Sequence, residues 1–278
     1  MSAGKIAIRE LVKVFRSPAG GEVRAIDGLS FGVPEGAFVS VLGPSGCGKS
    51  TLLNIMAGLD RPTSGEIQID GRAITDQDRP RIGFVFQQPR LLPWRTIEGN
   101  LWLPLERTGN RAAGRAVIER YVELVGLRGF ERYYPGQISG GMQQRVAIAR
   151  ALIMEPEILL MDEPFSNLDE MTARKMRAEL IRIWQKTGKT IIFVTHDISE
   201  AIFLSTRVIL TTRRPARIYR DLSIDLPVPR RYDDDRLFEI EKEVMRDFLQ
   251  YMEDTEGAPP PEMGRPGGAG GEVLLGGY

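Results

Sequence analysis

The run GPSGCGKST, residues 43–51, is the stretch of this chain that is most informative about its fold. The segment GPSGCGKS matches the pattern G-x-x-x-x-G-K-[ST]. Glycines let the backbone curl until successive N–H groups point inward and form a nest for an anion. The lysine of such a loop reaches the outer phosphates, and the serine hydroxyl ligates magnesium. The run therefore predicts a loop that binds a nucleoside triphosphate through Gly43, Pro44, Ser45, Gly46, Cys47, Gly48, Lys49, Ser50 and Thr51.

The segments on either side of this loop favour the same interpretation. The apolar residues of Phe38–Leu42 predict a short strand that runs straight into the loop. Residues 52–57 predict a helix that follows it and ends at Gly58. A helix that begins at the loop directs the positive end of its dipole at a bound phosphate. Within the loop, we interpret Cys47 as a small residue that fits a tight turn rather than as a redox-active thiol.

A pair of acidic residues follows a second apolar strand. Residues 158–161 have the sequence ILLM, which predicts that strand, and Asp162 and Glu163 come directly after it. An acidic residue at the carboxyl end of such a strand can hold Mg²⁺ beside a triphosphate. We expect Asp162 to bind the metal together with Ser50, and Glu163 to polarise the attacking water. Taken alone, the pair could equally be an acidic strand end that leads into a turn at Pro164.

The periodicity of apolar residues predicts the fold class. Alternation of apolar and polar residues in the N-terminal third predicts an antiparallel β subdomain, and helical periodicity in residues 97–150 predicts a helical insertion. Strands and helices then alternate up to Leu210, which predicts a largely parallel sheet with right-handed crossovers. We therefore expect an α/β fold with a P-loop NTPase core, in which helices flank a mostly parallel sheet.

The composition excludes several classes of protein. The 278 residues include 37 Lys and Arg and 37 Asp and Glu, so no basic field attracts nucleic acid and we expect no nucleic-acid partner. The single cysteine cannot form an internal disulfide, which fits a reducing cytosol. The sequence contains no signal-like start and no apolar stretch near the roughly 18 residues that span a bilayer. We expect a cytosolic protein whose link to a membrane runs through a partner.

A glycine-rich helix start at residues 138–145, ISGGMQQR, indicates a family when it is combined with the phosphate loop. Together the two motifs resemble those of the ATP-binding cassette (ABC) family, whose usual SGGQ has Met142 in place of the glutamine here. A serine hydroxyl and two glycine amides at a helix N-terminus form a second phosphate-binding surface. The resemblance implies that Ser139, Gly140 and Gly141 cover the γ-phosphate held by a second copy, in a head-to-tail dimer. A helix cap without a ligand is the alternative.

Four further residues match positions of the ABC family in the same order along the chain. Gln87 matches the glutamine that contacts magnesium and the attacking water, and Asp169 lies in the loop that crosses the dimer interface. His196, the only histidine, matches the residue that contacts the γ-phosphate. Phe15 matches the aromatic residue that stacks on adenine, although a lone aromatic residue in a strand is more often part of the core. The resemblance implies ATP and Mg²⁺ as ligands and ATP hydrolysis as the reaction.

The resemblance also predicts a division of the chain. Residues 1–230 would form the ATPase domain, with the helical insertion inside it. Residues 231–254 have the apolar spacing of an amphipathic helix, which would either pack on its own domain or form an intersubunit contact. Residues 255–278 are dominated by glycine and proline, so we expect a disordered tail.

The stretch after Gln87 predicts a partner. Residues 88–94, QPRLLPW, carry apolar side chains in a region that lines the groove for a cytoplasmic helix of the membrane subunit in ABC importers; a simple turn is the alternative. Together with MDEPFSNLDEMT, THDISEA and RRPARI, this stretch is most similar to importer subunits for nitrate, sulfonate, taurine and related anions.

The resemblance therefore implies a peripheral ATPase at the cytoplasmic face of the inner membrane. It would bind permease subunits directly and depend indirectly on a solute-binding protein. A soluble ABC-type ATPase that acts on nucleic acid or ribosomes is the alternative. Such proteins usually have long coiled-coil insertions or paired cassettes, and this sequence has neither.

Overall fold

The computed structural model describes residues 4–16, 20–74, 80–106 and 111–256. The strands within these ranges are β1 Ile6–Arg16, β2 Glu22–Val33, β3 Phe38–Leu42, β4 Ser64–Ile69, β5 Arg72–Ala73, β6 Ile82–Val85, β7 Ile158–Asp162, β8 Thr190–Thr195, β9 Arg207–Thr211 and β10 Ile218–Ser223. The α-helices are α1 Lys49–Met56, α2 Ile97–Trp102, α3 Arg111–Leu124, α4 Gly140–Leu152, α5 Glu170–Thr187, α6 Ile198–Leu204 and α7 Asp235–Glu256. Short 3-10 helices lie at Leu103–Leu105 and Pro135–Gln137.

The strands form two sheets. An antiparallel sheet has the order β2-β1-β4-β5, and a larger sheet has the order β10-β9-β3-β8-β7-β6. Strands β6, β7, β8, β3 and β9 are parallel neighbours, and β10 pairs antiparallel with β9. This arrangement, with the helical segment α2–α4 between β6 and β7, confirms the predicted α/β class.

The central strands are covered on both faces, which explains their uninterrupted apolar sequences. In β3, Phe38 and Leu42 belong to the apolar cluster that the helices α2–α6 share, whereas Val39 and Val41 belong to the cluster around α1 and the antiparallel sheet. Successive side chains of a strand point to opposite faces, so one short strand supports both clusters. The phosphate loop therefore follows a strand that is buried on both faces.

The parallel strands place the predicted site at one edge of the sheet. The phosphate loop follows β3, Gln87 comes shortly after β6, Asp162 ends β7 and His196 follows β8. The carboxyl ends of parallel strands lie on the same side, and ligands bind there in open α/β sheets. The topology thus brings together residues that are far apart in the sequence.

The C-terminal helix α7 packs on its own chain. Its residues Leu237 and Val244 are buried, and Ser199 on α6 donates a hydrogen bond of 3.0 Å to Glu241. Arg220 on β10 pairs with Glu243 and Asp247 of the helix. Of the two alternatives for this segment, these contacts agree with packing on its own domain. The helix extends to residue 256, and residues 257–278 of the expected tail lie outside the described part of the chain.

Strand β10 is the one element in the larger sheet that the sequence patterns did not predict. Its residues are alternately exposed and half-buried, so its apolar signal is weak. In the ranges that the structure describes, none of the helices has the length and apolar character required to cross a membrane.

Candidate functional site

Two glycines of the phosphate loop occupy positions where a larger residue does not fit. Gly48 has a φ of +123°, and a Cβ there would lie 2.6 Å from the Ala25 carbonyl oxygen. A Cβ on Gly43 would lie 2.1 Å from Thr211 Oγ1. Between them, Cys47 is 1% exposed, and its Sγ lies 3.5 Å from the same hydroxyl. The loop therefore folds closely against β2 and β9, and its cysteine occupies a small buried space.

Lys49, the first residue of α1, is held within the loop. Its Nζ donates hydrogen bonds of 2.7 Å to the Gly43 carbonyl and 2.8 Å to the Pro44 carbonyl. The same ammonium lies 3.8 Å from Glu163 Oε1. The side chain is 3% exposed, and its ammonium lies at the N-terminus of α1. The positive charge and the helix dipole therefore attract a phosphate to the same place.

Ser50 and Asp162 form a pair that fits Mg²⁺. Ser50 Oγ donates a hydrogen bond of 3.0 Å to Asp162 Oδ1, and burial raises the pKa of this carboxyl above its usual range. A hydroxyl and a carboxylate are hard oxygen donors, and Mg²⁺ in phosphate sites takes its other ligands from substrate and water. No cluster of three or more His, Cys, Asp or Glu side chains that could hold a metal is found among the described residues.

Glu163 lies in an unusual backbone conformation. Its φ is +43°, in the left-handed region, and such a conformation costs about 1–3 kcal/mol for a residue other than glycine. The backbone is held there because the Glu163 N–H donates to the Val194 carbonyl at 2.9 Å. The carboxylate turns toward β8, where Oε2 lies 3.0 Å from His196 Nδ1. The strained conformation thus points the carboxylate between His196 and Lys49.

Gln87 joins this group through a serine. Its Nε2 donates a hydrogen bond of 3.1 Å to Ser166 Oγ, and that hydroxyl donates one of 3.0 Å to the Glu163 carbonyl. Ser166 lies in the turn between β7 and α5, so the contact connects the end of β6 to the end of β7. The resemblance placed Ser166 with Asp169 in the loop that crosses the dimer interface, but it did not predict the contact with Gln87, because that contact depends on the packing of two loops.

These side chains border one open cleft. Its volume of about 410 Å³ is within the range of small-molecule sites, and its lining residues are Phe15, Val23, Ala25, Ser45, Gly46, Gly48, Lys49, Ser50, Thr51, Gln87, Glu163 and Arg214. Phe15 is 42% exposed at this cleft and is therefore not a core residue. Asp162 and His196 adjoin the cleft through their contacts with Ser50 and Glu163.

Arg214 is a cleft residue that the sequence patterns did not predict. Its guanidinium donates to the Gly46 carbonyl from Nε at 3.0 Å and from Nη2 at 2.8 Å. The residue lies in the turn between β9 and β10 and adds a permanent positive charge beside the phosphate loop. The only signal in the sequence is the basic run RRPAR, which does not show where the turn folds.

The Arg214→Ala substitution should weaken ATP binding about tenfold, because a charge-assisted contact that orders the loop is lost. The affinity is measured by titrating the purified chain with a fluorescent nucleotide. Arg182→Ala is the matched control, since Arg182 is an exposed arginine on α5. An unchanged affinity in the Arg214 variant would show that this guanidinium does not contribute to the site.

The glycine-rich helix start lies outside this cleft. Ser139 caps α4, where its Oγ accepts a hydrogen bond of 3.3 Å from the Met142 N–H. Gly141 packs so closely on α5 that a Cβ would lie 2.6 Å from Thr172 Cγ2. Asp169 caps α5 by accepting a hydrogen bond of 3.0 Å from the Thr172 N–H. Neither Ser139 nor Asp169 lines the cleft of its own chain, and both are accessible to another molecule.

A comparison with protein families identifies the family that this chain matches. The ABC transporter family matches residues 26–166, from β2 to the turn that contains Ser166. The chain belongs to the ABC transporter family. Over 243 residues this ABC protein is 45% identical to the aliphatic sulfonates import ATP-binding protein SsuB of Bacillus cereus; the match covers 87% of this chain and 95% of SsuB. It is also 45% identical over 229 residues to the nitrate import ATP-binding protein NrtC of Synechococcus elongatus, covering 81% of this chain and 35% of NrtC.

A solved ABC structure supports the same assignment. The dimeric post-hydrolysis structure of the ATP-binding cassette MJ0796, bound to ADP and Pi, superposes with a TM-score of 0.69 at 35% sequence identity. The match covers 80% of this ABC chain and all of MJ0796. The chain is therefore an ABC-type ATPase that uses ATP, with Mg²⁺ as the metal.

Proposed function

We propose that two copies of this chain hydrolyse ATP at two shared sites and drive the import of a small anion through a separate permease. Each site would combine the cleft of one copy with the Ser139–Gly141 surface and Asp169 of the other. The observation that carries this proposal is the division of the predicted residues into two groups. Lys49 and Glu163 border one cleft, whereas Ser139 and Asp169 lie outside it.

Within the cleft each residue would have a distinct task. Lys49 and the loop amides hold the β- and γ-phosphates, and Phe15 offers a ring face for the adenine. Ser50, Asp162 and Gln87 would hold Mg²⁺, which when bound would offset the negative charge of the phosphates. Glu163 accepts a proton from the attacking water, and its carboxylate is already oriented by His196 at 3.0 Å. His196, whose side chain is 48% exposed, is free to contact the γ-phosphate.

Closure of the dimer would complete the site. The Ser139 hydroxyl and the N–H groups at the start of α4 of the second copy would cover the γ-phosphate and exclude water. Catalysis would then come mainly from placement of the water and from stabilisation of developing charge. Hydrolysis would loosen the dimer, and the opening and closing would be transmitted to the permease.

The loop of residues 88–94 supports a contact with a membrane partner. Trp94 is 72% exposed, although the loop behind it is firmly held. Asn100, fully buried, exchanges hydrogen bonds with the Leu92 backbone and donates to the carbonyls of Arg95 and Thr96. A rigid loop that presents a large aromatic side chain is well suited to bind a helix of another protein.

The class of solute is proposed from the relatives. SsuB is a sulfonate import protein and NrtC a nitrate import protein, so a small oxyanion is the transported species that we propose. We further propose that this chain lies at the cytoplasmic face of the inner membrane, attached to the permease and dependent on a solute-binding protein for its substrate.

Membrane association of the full chain in its native cells tests this proposal. We expect the chain to co-purify with a multispanning membrane protein, and ATP turnover of that complex to rise when sulfonate or nitrate and the binding protein are added. Trp94→Ala should reduce the membrane-bound share several-fold and leave ATP binding unchanged, since a large exposed aromatic side chain is lost. Leu59→Ala is the control, because Leu59 is also exposed, at 63%, but lies in the turn after α1.

Recovery of the chain with ribosomes or nucleic acid would instead favour the alternative ABC-type ATPase. The formal net charge of zero argues against that partner, because binding to a phosphate backbone depends on an excess of Lys and Arg. An unchanged membrane-bound share in the Trp94 variant would contradict the proposed role of residues 88–94.

A further inference from the structure

A buried glutamate fastens the turn that carries His196. Glu200 Oε2 accepts a hydrogen bond of 2.5 Å from Thr195 Oγ1, directly before the histidine. The Glu200 N–H donates one of 2.9 Å to Asp197 Oδ1, directly after it. The Asp197 N–H also donates to Thr195 Oγ1 at 3.1 Å. Both neighbours of His196 are thus tied to one residue of α6.

The same glutamate is connected to the start of α5. Arg177 Nε donates a hydrogen bond of 3.2 Å to Glu200 Oε1, and Arg177 Nη1 lies 3.3 Å from Glu170 Oε1. Glu170 is the first residue of α5 and follows Asp169, the residue that caps this helix. One arginine therefore joins the turn of His196 to the helix start beside the proposed dimer contact.

The connection is shielded from water. The side chains of Arg177 and Glu200 are each 6% exposed. Tyr232 covers them: its hydroxyl accepts a hydrogen bond of 3.4 Å from Arg177 Nη1, and its ring stacks on Phe203 at 4.0 Å. Burial raises the pKa of Glu200, which shows that removing this carboxylate from water is unfavourable. A buried ion pair of this kind is often a poor source of stability, because the cost of desolvating both charges offsets their attraction.

We propose that the Arg177–Glu200 pair is a positioning unit for ATP hydrolysis, which holds the turn of His196 and the start of α5 in one relative arrangement. The proposal rests on the proposed roles of His196 and Asp169. His196 must meet the γ-phosphate of its own copy, while Asp169 meets the second copy. Through the pair, the contact of Asp169 with the second copy influences the position of His196. Closure of the dimer would then bring His196, and with it the Glu163 carboxylate, into position at the γ-phosphate.

The Glu200→Gln substitution tests this role in the full-length chain. The amide keeps an oxygen for the Thr195 hydroxyl but loses the charge that holds Arg177. We expect kcat for ATP to fall about tenfold and KM to stay within about twofold, because a displaced catalytic group lowers the rate without removing substrate contacts. Asp221→Asn is the matched control, since it removes the carboxylate of another arginine pair, Arg207–Asp221, on β9 and β10.

A double-variant cycle separates positioning from a general loss of structure. If Glu200 acts through His196, Glu200→Gln should lower kcat by less than about twofold in a His196→Ala background. Thr195→Val, which breaks the link to Glu200 and leaves the ion pair intact, should lower kcat in the same direction with KM unchanged. This second variant decides the question if Glu200→Gln does not fold, as judged by thermal unfolding.

Three results would overturn the positioning role: an unchanged kcat in the folded variants, a rise in KM that accounts for the loss, or full additivity with His196→Ala. Failure of the proposed function looks different, because the chain would then not co-purify with a membrane protein, while the wild-type chain and the Asp221→Asn control would still hydrolyse ATP. If both hydrolyse ATP and Glu163→Gln abolishes the reaction while Glu200→Gln does not alter it, only the positioning role fails.

Discussion

The Glu163→Gln substitution should lower ATP turnover by at least about 100-fold, the usual contribution of a general base. Glutamine has nearly the same shape as glutamate, but its amide cannot accept the proton of the attacking water. ATP binding should persist, because the loop amides and the carbonyls that hold Lys49 are untouched. Phosphate release in the steady state measures turnover, and equilibrium titration with nucleotide measures binding.

A second measurement makes the assignment of Glu163 specific. If hydrolysis is blocked after the dimer closes, the Glu163→Gln chain should accumulate as a dimer when ATP is present, and size-exclusion chromatography detects that species. Glu119→Gln is the control, since Glu119 is an exposed glutamate on α3. A turnover rate near that of the wild-type chain would mean that another group accepts the proton.

The Ser139→Arg substitution should also reduce turnover by about two orders of magnitude, for a different reason. Ser139 is exposed and outside the cleft of its own chain, so the arginine should leave ATP binding by the isolated chain within about twofold of wild type. Its bulk would keep α4 of one copy from the γ-phosphate held by the other and would remove the stabilising donors there. Loss of the N-cap should cost about 1 kcal/mol of stability.

A mixture of inactive variants tests the shared site directly. In an equal mixture of Ser139→Arg and Lys49→Ala chains that pair at random, half of the dimers contain one chain of each kind. In such a mixed dimer one site carries both substitutions, and the other site carries neither. About a quarter of the wild-type activity should therefore return if the dimer has twofold symmetry and its sites act independently. Ser223→Arg, an exposed position at the end of β10, is the control for the added arginine.

No recovery in the mixture, together with weakened ATP binding by Ser139→Arg alone, would place the glycine-rich helix start in the site of its own chain. The two predictions are independent: Glu163→Gln tests the chemistry of the cleft, and Ser139→Arg tests whether one chain contains a complete site.

The sequence predicted the central elements well because their signals are local. The strand Phe38–Leu42 has the predicted bounds, since buried strands read as apolar runs. Strand β10 was not predicted because its half-exposed residues form a strand only by pairing with the edge of β9. The helix α7 begins at Asp235, where the apolar spacing of an amphipathic helix also begins inside the predicted C-terminal segment 231–254.

The cleft was predicted in part. The motifs identified Lys49, Ser50, Asp162 and Glu163, and the resemblance to the ABC family added Gln87. The topology brings these residues to one edge of the sheet. The sequence did not identify Arg214 as a cleft residue, and it did not predict the contact of Ser166 with Gln87. Both residues reach the site from turns whose paths depend on long-range packing.

The phosphate loop shows where the two sources of information divide. The sequence by itself determined the chemistry: which residues can bind phosphate and metal, and which family they belong to. Only the tertiary structure showed that positions 43 and 48 require glycine, because Thr211 and Ala25 occupy the space that a side chain would need. It also decided that Ser139 lies outside the cleft and that Glu200 connects His196 to Arg177. Such contacts join residues far apart in the chain, and a local pattern of residue types contains no record of them.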